Sequence, residues 1–351
     1  MSGTAKASPW KHLAFFTAGF VFDAFMVRRI DDVKVLVQQG LYLVLSGILL
    51  ASLVVLRERA NRWIAPAMHF MLGTLLNAYA LFYIKSASGE SMLLFFGIIS
   101  VLLVVNELPA VRRFGPVVPY ALYSFCLTSY FAYLYPVLIG RIRWWIFGLA
   151  IVTSIVPLVL LARFHLRRVG SRRHVVMHAL LPSLGVQALL VILYVGGLIP
   201  PVPLSLMEIG IYHAVERTND GVYRVTYRQP PWYRFWQKDD SEFKAVAGDR
   251  VYCFLRVFAP NGFRDDIRVG WFFKQPSGGW APAGSVPIAV TGGREGGFAG
   301  YSYKQNWRPG DWRVVVDTVD GREIGRRSFS VIPDSSAGTD TADRKMSVQF
   351  R

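Results

Sequence analysis

The stretch Val191-Ile-Leu-Tyr-Val-Gly-Gly-Leu-Ile-Pro-Pro-Val-Pro-Leu-Ser205 divides this chain into two kinds of protein. Before it, apolar residues run in long blocks. After it, the pattern changes from helical to alternating, the period of a strand. Pro200, Pro201 and Pro203 end the last apolar block. Proline lacks the amide a helix needs and favours an extended, polyproline-like backbone. So stiff a connection predicts a C-terminal domain held close to the apolar half rather than on a loose tether.

Working back from that junction, seven apolar segments occupy residues 12–27, 33–56, 63–84, 92–111, 117–139, 144–162 and 175–199. A bilayer span takes about 20 mostly apolar residues. The expected architecture is therefore a multi-pass transmembrane helical domain over residues 1–203, with about seven spans. The first segment is the shortest and carries Asp23. It ends in Arg28-Arg29 with no small-residue cleavage site, so it reads as a retained span rather than a signal peptide.

The basic residues orient these spans. Residues 1–207 hold 18 Lys and Arg against 6 Asp and Glu, a balance of +12 out of the chain's +16. With the N-terminus inside, the cytoplasmic segments carry Lys6, Lys11, Arg57, Arg59, Arg62, Arg112, Arg113, Arg163, Arg167, Arg168, Arg172 and Arg173. The opposite side carries half as many: Arg28, Arg29, Lys34, Lys85, Arg141 and Arg143. This bias predicts a cytoplasmic N-terminus, and seven spans then put the C-terminal domain outside the cytoplasm. Because the excess sits in short loops between apolar runs, a nucleic-acid partner is not expected. Trp63 and Trp144-Trp145 stand at segment ends, where aromatic rings prefer the headgroup level.

Ionisable residues at membrane depth are functional candidates. An outer group comprises Asp23, Arg28, Arg29, Asp31 and Asp32, with Lys85 as a candidate partner for Asp23. An inner group comprises His69, Asn106, Glu107 and His178. A His–Glu pair is suited to moving protons. The competing reading is structural: Glu107 ends its span against Arg112 or Arg113, and the histidines are packing residues near the headgroups.

Beyond the junction, short alternating runs recur to about residue 333. Residues 209–217 and 222–228 flank Thr218-Asn219-Asp220-Gly221, a turn sequence that predicts a hairpin. Residues 251–258, 267–274, 286–291, 298–305, 312–318 and 323–332 follow. Seven or eight such strands predict an all-β, immunoglobulin-like sandwich over residues 204–333. Residues 334–351 are polar and predict a disordered tail. Six of the ten tryptophans fall in this domain. Trp271 and Trp312 sit inside strand patterns and read as core. Trp232, Trp236, Trp280 and Trp307 sit in loop-like contexts and are the candidate ligand-binding residues, suited to stacking on sugar rings.

No HExxH, GxSxG, Walker or dinucleotide motif occurs. Cys126 and Cys253 are the two cysteines, so neither a disulfide framework nor a cysteine metal cluster is expected. No cofactor is expected, and no catalytic residue stands out.

Several strings resemble a known family: Gly19-Phe-Val-Phe-Asp23-Ala-Phe with Arg29-Ile-Asp31, Phe82-Tyr-Ile-Lys-Ser-Ala-Ser88, Asn106-Glu107, Leu198-Ile-Pro-Pro-Val-Pro-Leu-Ser205 with Gly210-Ile-Tyr-His213, and Tyr301-Ser-Tyr-Lys-Gln305 with Gly310-Asp-Trp-Arg-Val314. Together they resemble bacterial multi-pass membrane proteins ending in domain of unknown function 2914. The resemblance implies a bacterial envelope setting and no particular activity. The sequence thus leads to a non-catalytic inner-membrane protein whose periplasmic sandwich binds an envelope protein or glycan. The alternative is a transporter or enzyme using the intramembrane Asp, Arg, His and Glu residues.

Overall fold

The computed structural model describes residues 32–55, 60–86, 95, 97–101, 117–229, 232–234, 236–246, 248–334 and 345–350. Among them are six α-helices: α1 (Val33–Val55), α2 (Ala60–Ser86), α3 (Val117–Ile139), α4 (Trp144–Val169), α5 (Arg172–Val175) and α6 (Leu181–Val195). A π-helical turn over Val176–Leu180 joins α5 to α6. Ser171 caps this helix, its hydroxyl accepting from His174 N.

Among the described residues, four stretches are long and apolar enough to cross a membrane: Val33–Leu53, Val117–Ile139, Trp144–Arg168 and Arg172–Val195. Their exposed side chains form apolar stripes. Val37, Leu41, Val44 and Ile48 lie three or four residues apart on α1, and Val152, Val156 and Leu160 do so on α4. Water makes such surfaces costly, and hydrocarbon does not.

The seven segments expected from the sequence do not return as seven helices. Residues 12–27 lie outside the described residues, as do most of residues 92–111, of which 97–101 are helical. Residues 63–84 fall within α2. The continuous helical stretch through α5, the π turn and α6 begins at Arg172, earlier than the expected segment at 175–199. The Ser171 cap starts the helix on basic residues, which a count of apolar residues leaves out.

The chain divides into two compact units, one of Met1–Ile84, Phe95–Ala132 and Leu149–Ile192, the other of Lys85–Leu94, Tyr133–Gly148 and Leu193–Arg351. The boundary is therefore not a single cut at residue 203. Inside the first unit, several buried polar side chains hydrogen-bond to one another or to the backbone. Thr128 Oγ1 lies 3.0 Å from Ser154 Oγ, which accepts from Gln187 Nε2 at 2.8 Å. Ser124 Oγ donates to Ser183 O at 2.9 Å, and Tyr120 Oη hydrogen-bonds His165 Nδ1. An unmet polar group in such surroundings costs far more than a paired one.

The second unit is built on a β-sandwich. Its strands are β1 (Ser205–Tyr212), β2 (Ala214–Arg217), β3 (Tyr223–Arg228), β4 (Glu242–Ala245), β5 (Val251–Phe258), β6 (Arg264–Lys274), β7 (Trp280–Thr291), β8 (Phe298–Lys304), β9 (Gly310–Thr318), β10 (Glu323–Pro333) and β11 (Lys345–Phe350). One sheet has the order β1-β5-β8, the second β4-β10-β9-β6-β7, and a small third β11-β3-β2. The expected hairpin forms, with Arg217 opposite Tyr223 and Gly221 at φ +75°. Strand β9 shows the alternation that makes the core: Trp312, Val314 and Val316 point inward. They meet Trp271, Phe243, Leu255, Val257, Ile267 and Phe329 in one cluster.

Two features of this unit differ from expectation. The polar tail contains β11, which pairs antiparallel with β3, Phe350 opposite Tyr223. Phe350 stacks on Phe254, ring centres 5.1 Å apart. The short sequence Lys345-Met-Ser-Val-Gln-Phe350 is stabilised by a ladder with residues more than a hundred positions earlier, which local composition does not reveal.

The turn after α3 also contributes to the sandwich. Ile142 is 6% exposed and belongs to the same core cluster. Arg143 forms a bidentate pair with Asp265 at 2.5 and 2.7 Å. Gly140 O accepts from Arg264 N, and Trp144 N donates to Asp320 Oδ2. Gly140 is at φ +75°, and a Cβ there would stand 2.5 Å from Gly262 O, so glycine meets both demands. The Arg322 guanidinium lies over the Tyr194 ring and donates to Tyr194 O at 3.2 Å.

Candidate functional site: an aromatic-rimmed groove on the sandwich

A groove of about 510 Å³ opens on the sandwich between β1, β10 and the loop before β4. That volume lies in the ~300–1,000 Å³ range of small-molecule sites. Strand β1 supplies Glu208 and Tyr212, the loop supplies Trp236 through Asp239 and Ser241, and β10 supplies Arg327.

The loop is held firmly. Arg327 grips Asp239 with two hydrogen bonds of 2.6 Å each. Gln237 Nε2 donates to Asp239 O and Ser241 Oγ, both at 2.8 Å. Asp240 N donates to Ile211 O, and Asp240 Oδ1 accepts from Arg228 N. His213, at the kink between β1 and β2, places Nε2 3.6 Å from Asp240 Oδ2 and stacks on Phe243. This His–Asp pair ties the rim to the strands. Burial pushes the Asp239 carboxyl above its ordinary value, and the Arg327 guanidinium opposes that rise.

On this frame two polar groups face the groove without a hydrogen-bond partner among the described residues. Tyr212 is 1% exposed, packed edge-on against Tyr227 and Phe254, yet it lines the groove. The absence of a side chain at Gly210 makes this placement feasible: a Cβ there would stand 2.5 Å from Tyr212 Oη. Glu208 is half-buried beside it. Desolvation raises its pKa, with Arg256 and Lys238 acting in the opposite direction.

Exposed aromatic rings stand on the groove-lining loop and on the 3-10 turn just before it. Trp232 is 88% exposed and Trp236 67%, with Tyr233 also exposed between them. Trp280 and Trp307, loop-like in sequence, are half-buried instead. Trp280 opens β7 and is covered by the Arg313 guanidinium 4.1 Å above its ring. Trp307 packs on the main core and donates to Asp249 O at 2.9 Å. A second recess, lined by Phe273, Lys304, Asn306, Arg308 and Trp312 among others, has its cations engaged. Lys304 Nζ donates to Ala283 O, and Arg308 covers the Phe273 ring.

Of the intramembrane candidates, Asp23, Arg28, Arg29, Asp31, Asn106 and Glu107 lie outside the described residues. His69 falls on α2, with its side chain outside what is described, and Lys85 lies in the last turn of α2. His178 is half-buried and stacks on His174. Among the described residues no cluster of His, Cys, Asp and Glu suits a metal ion. Sequence reasoning missed Glu208, Tyr212, Lys238, Asp239 and Arg327. The one local signal was Gly210-Ile-Tyr-His213, where a strand-interior glycine precedes a large aromatic residue.

No curated protein matches the chain. An immunoglobulin-like protein from Pseudomonas aeruginosa aligns at 13% identity over 37% of this chain and 98% of its own, with a TM-score of 0.22. The alkylpurine DNA glycosylase AlkC from Pseudomonas fluorescens aligns at 11% identity over 82% of this chain and 76% of its own, with a TM-score of 0.23. Likeness at that level supports no conclusion about fold or function. Residues 264–331, from the start of β6 into β10, match the family described as Protein of unknown function (DUF2914), so this chain carries that domain in its C-terminal region.

Proposed function

We propose that this is a non-catalytic bacterial inner-membrane protein whose sandwich, immunoglobulin-like in type, binds an envelope component outside the cytoplasm. The observation that carries the reading is the groove: exposed Trp236 beside Tyr212 and Glu208, two polar groups with no hydrogen bond among the described residues. Buried polar groups are normally paired, so unpaired ones aimed into a cavity mark a place for a ligand's polar atoms. The proposed topology has seven spans, a cytoplasmic N-terminus and a periplasmic C-terminal domain. The two-to-one excess of Lys and Arg in the inner segments supports it.

Two experiments test this reading. Alkaline phosphatase fused after residue 207 is expected to be active, and a fusion active only as a cytoplasmic reporter overturns the location. A photo-crosslinking residue in place of the exposed Tyr233, in the full chain in living cells, is expected to capture an envelope component. No capture at that position overturns the binding role.

A second reading places function in the membrane, as a transporter or enzyme. It is favoured by the buried Tyr120–His165 hydrogen bond and the Thr128–Ser154–Gln187 chain in the helical unit. Membrane-buried polar groups are often kept for function. On this reading Asp23→Asn abolishes function while the protein still accumulates. If that variant merely fails to accumulate, Asp23 is structural.

A further inference from the structure

The chemistry of the groove is specific enough to name a ligand class. Glu208 offers a carboxylate that only accepts hydrogen bonds. Lys238 offers an ammonium that only donates, and the Tyr212 hydroxyl does both. A ligand that satisfies all three needs donor and acceptor capacity on neighbouring atoms, which is what adjacent hydroxyl groups provide. The wall beside them is the exposed indole of Trp236. Its face is negative, so it suits the slightly positive C–H face of a sugar ring.

Other ligand classes fit less well. The Arg327 guanidinium is spent on Asp239, and Glu208 repels an anion, so a phosphate or carboxylate meets opposition. A cation is opposed by Lys238 and by Arg256, the cross-strand neighbour of Glu208. A purely apolar ligand would leave Tyr212 and Glu208 desolvated and unpaired.

We propose that the groove binds a neutral pyranose ring of an envelope saccharide, its C–H face on Trp236 and its hydroxyls on Tyr212 Oη and Glu208. This rests on the reading of the sandwich as an envelope-binding domain and makes its ligand specific. Tyr212 is a fixed element of the site, because its ring is clamped between Tyr227 and Phe254 and lies across Gly210. A rigid hydroxyl loses little entropy on binding, which favours recognition of a weakly held ligand such as a sugar.

The test uses the full chain in phospholipid nanodiscs, titrated with chitotriose, cellotriose and maltotriose while tryptophan fluorescence is followed. At least one of them is expected to saturate. Trp236→Ala is expected to weaken that binding about tenfold or more, and Tyr212→Phe and Glu208→Gln about three- to tenfold each, in line with the loss of one stacking contact or one hydrogen bond. Thermal unfolding of each variant, near that of the wild type, shows that the sandwich persists. Absence of binding by all three sugars, or variants that bind as the wild type does, overturns the saccharide assignment. Capture of an envelope protein or lipid from position 233 then leaves the binding role standing without the sugar. Absence of any capture removes both.

Discussion

Two pairs of tryptophans in one sandwich have opposite surroundings. Trp271 and Trp312 are each 2% exposed, their indole N–H groups donating to Ser302 Oγ and Arg308 O. Trp232 and Trp236 are 88% and 67% exposed, on a short 3-10 turn and the loop after it. The first pair lies on strands whose alternation turns every second side chain inward. The second pair lies where no sheet covers it. Burying an indole supplies much of a core's stability, whereas leaving one in water forfeits that gain. The difference teaches that the core pair contributes to stability, while the exposed pair presents its surface to the surroundings.

That contrast can be broken by substitution. Trp271→Ala is expected to cost about 3–5 kcal/mol, the range for removing a large buried aromatic side chain. Thermal unfolding of the full chain measures it, and a loss under about 1 kcal/mol, the scale of an ordinary surface change, removes the distinction. Arg143→Ala comes next, at about 2 kcal/mol, less than a fully buried pair because Arg143 keeps a quarter of its side-chain exposure. Asp265, 8% exposed, is then left without its partner. Adding Asp265→Ala should restore part of the loss, and a double variant no better than the single one contradicts the pairing. Gly210→Ala is expected to cost about 1–2 kcal/mol, by forcing the Tyr212 ring from its place. It should also weaken any ligand that uses the Tyr212 hydroxyl. Trp236→Ala is expected to change stability by under about 0.5 kcal/mol, as an exposed substitution does.

The smallest expected effect is a pH dependence at Glu208. Its folded-state pKa is raised, so the folded protein holds the proton more tightly than the unfolded chain does. Stability from this group is therefore present at low pH and is lost as pH rises from the ordinary carboxylate value through the raised one. Glu208→Gln should remove that slope, leaving the variant slightly more stable than the wild type at neutral pH. Unfolding temperatures across the carboxylate range check the sign. A wild type that gains stability relative to the variant over this window contradicts it. Asp311 has the opposite sign: Ser330 and Lys274 hold its pKa down, so its contribution is lost as pH falls through the lowered value.

Legibility in the sequence followed the range of the interactions. Thr218-Asn219-Asp220-Gly221 announced its hairpin because turn chemistry is local. The alternation around Trp312 and Trp271 announced the core for the same reason. The groove was hidden because its frame is non-local. Asp239 and Arg327 are 88 residues apart, and nothing near either one names the other. Strand β11 was hidden likewise, since a six-residue polar stretch gains its order from β3. Trp280 and Trp307 looked like loop residues, and Arg313 and the Asp249 carbonyl draw them halfway into the fold. Ile142 was hidden by its setting. It lies between two apolar helices, yet it fills a place in the sandwich core.

The central claim is that the groove beside Trp236 faces a compartment outside the cytoplasm. Both native cysteines, Cys126 and Cys253, are buried, so a single new thiol reports cleanly. Trp236→Cys in the full chain, treated with a membrane-impermeant maleimide on intact spheroplasts, is expected to label fully without permeabilisation. Labelling that appears only after the membrane is broken contradicts the claim.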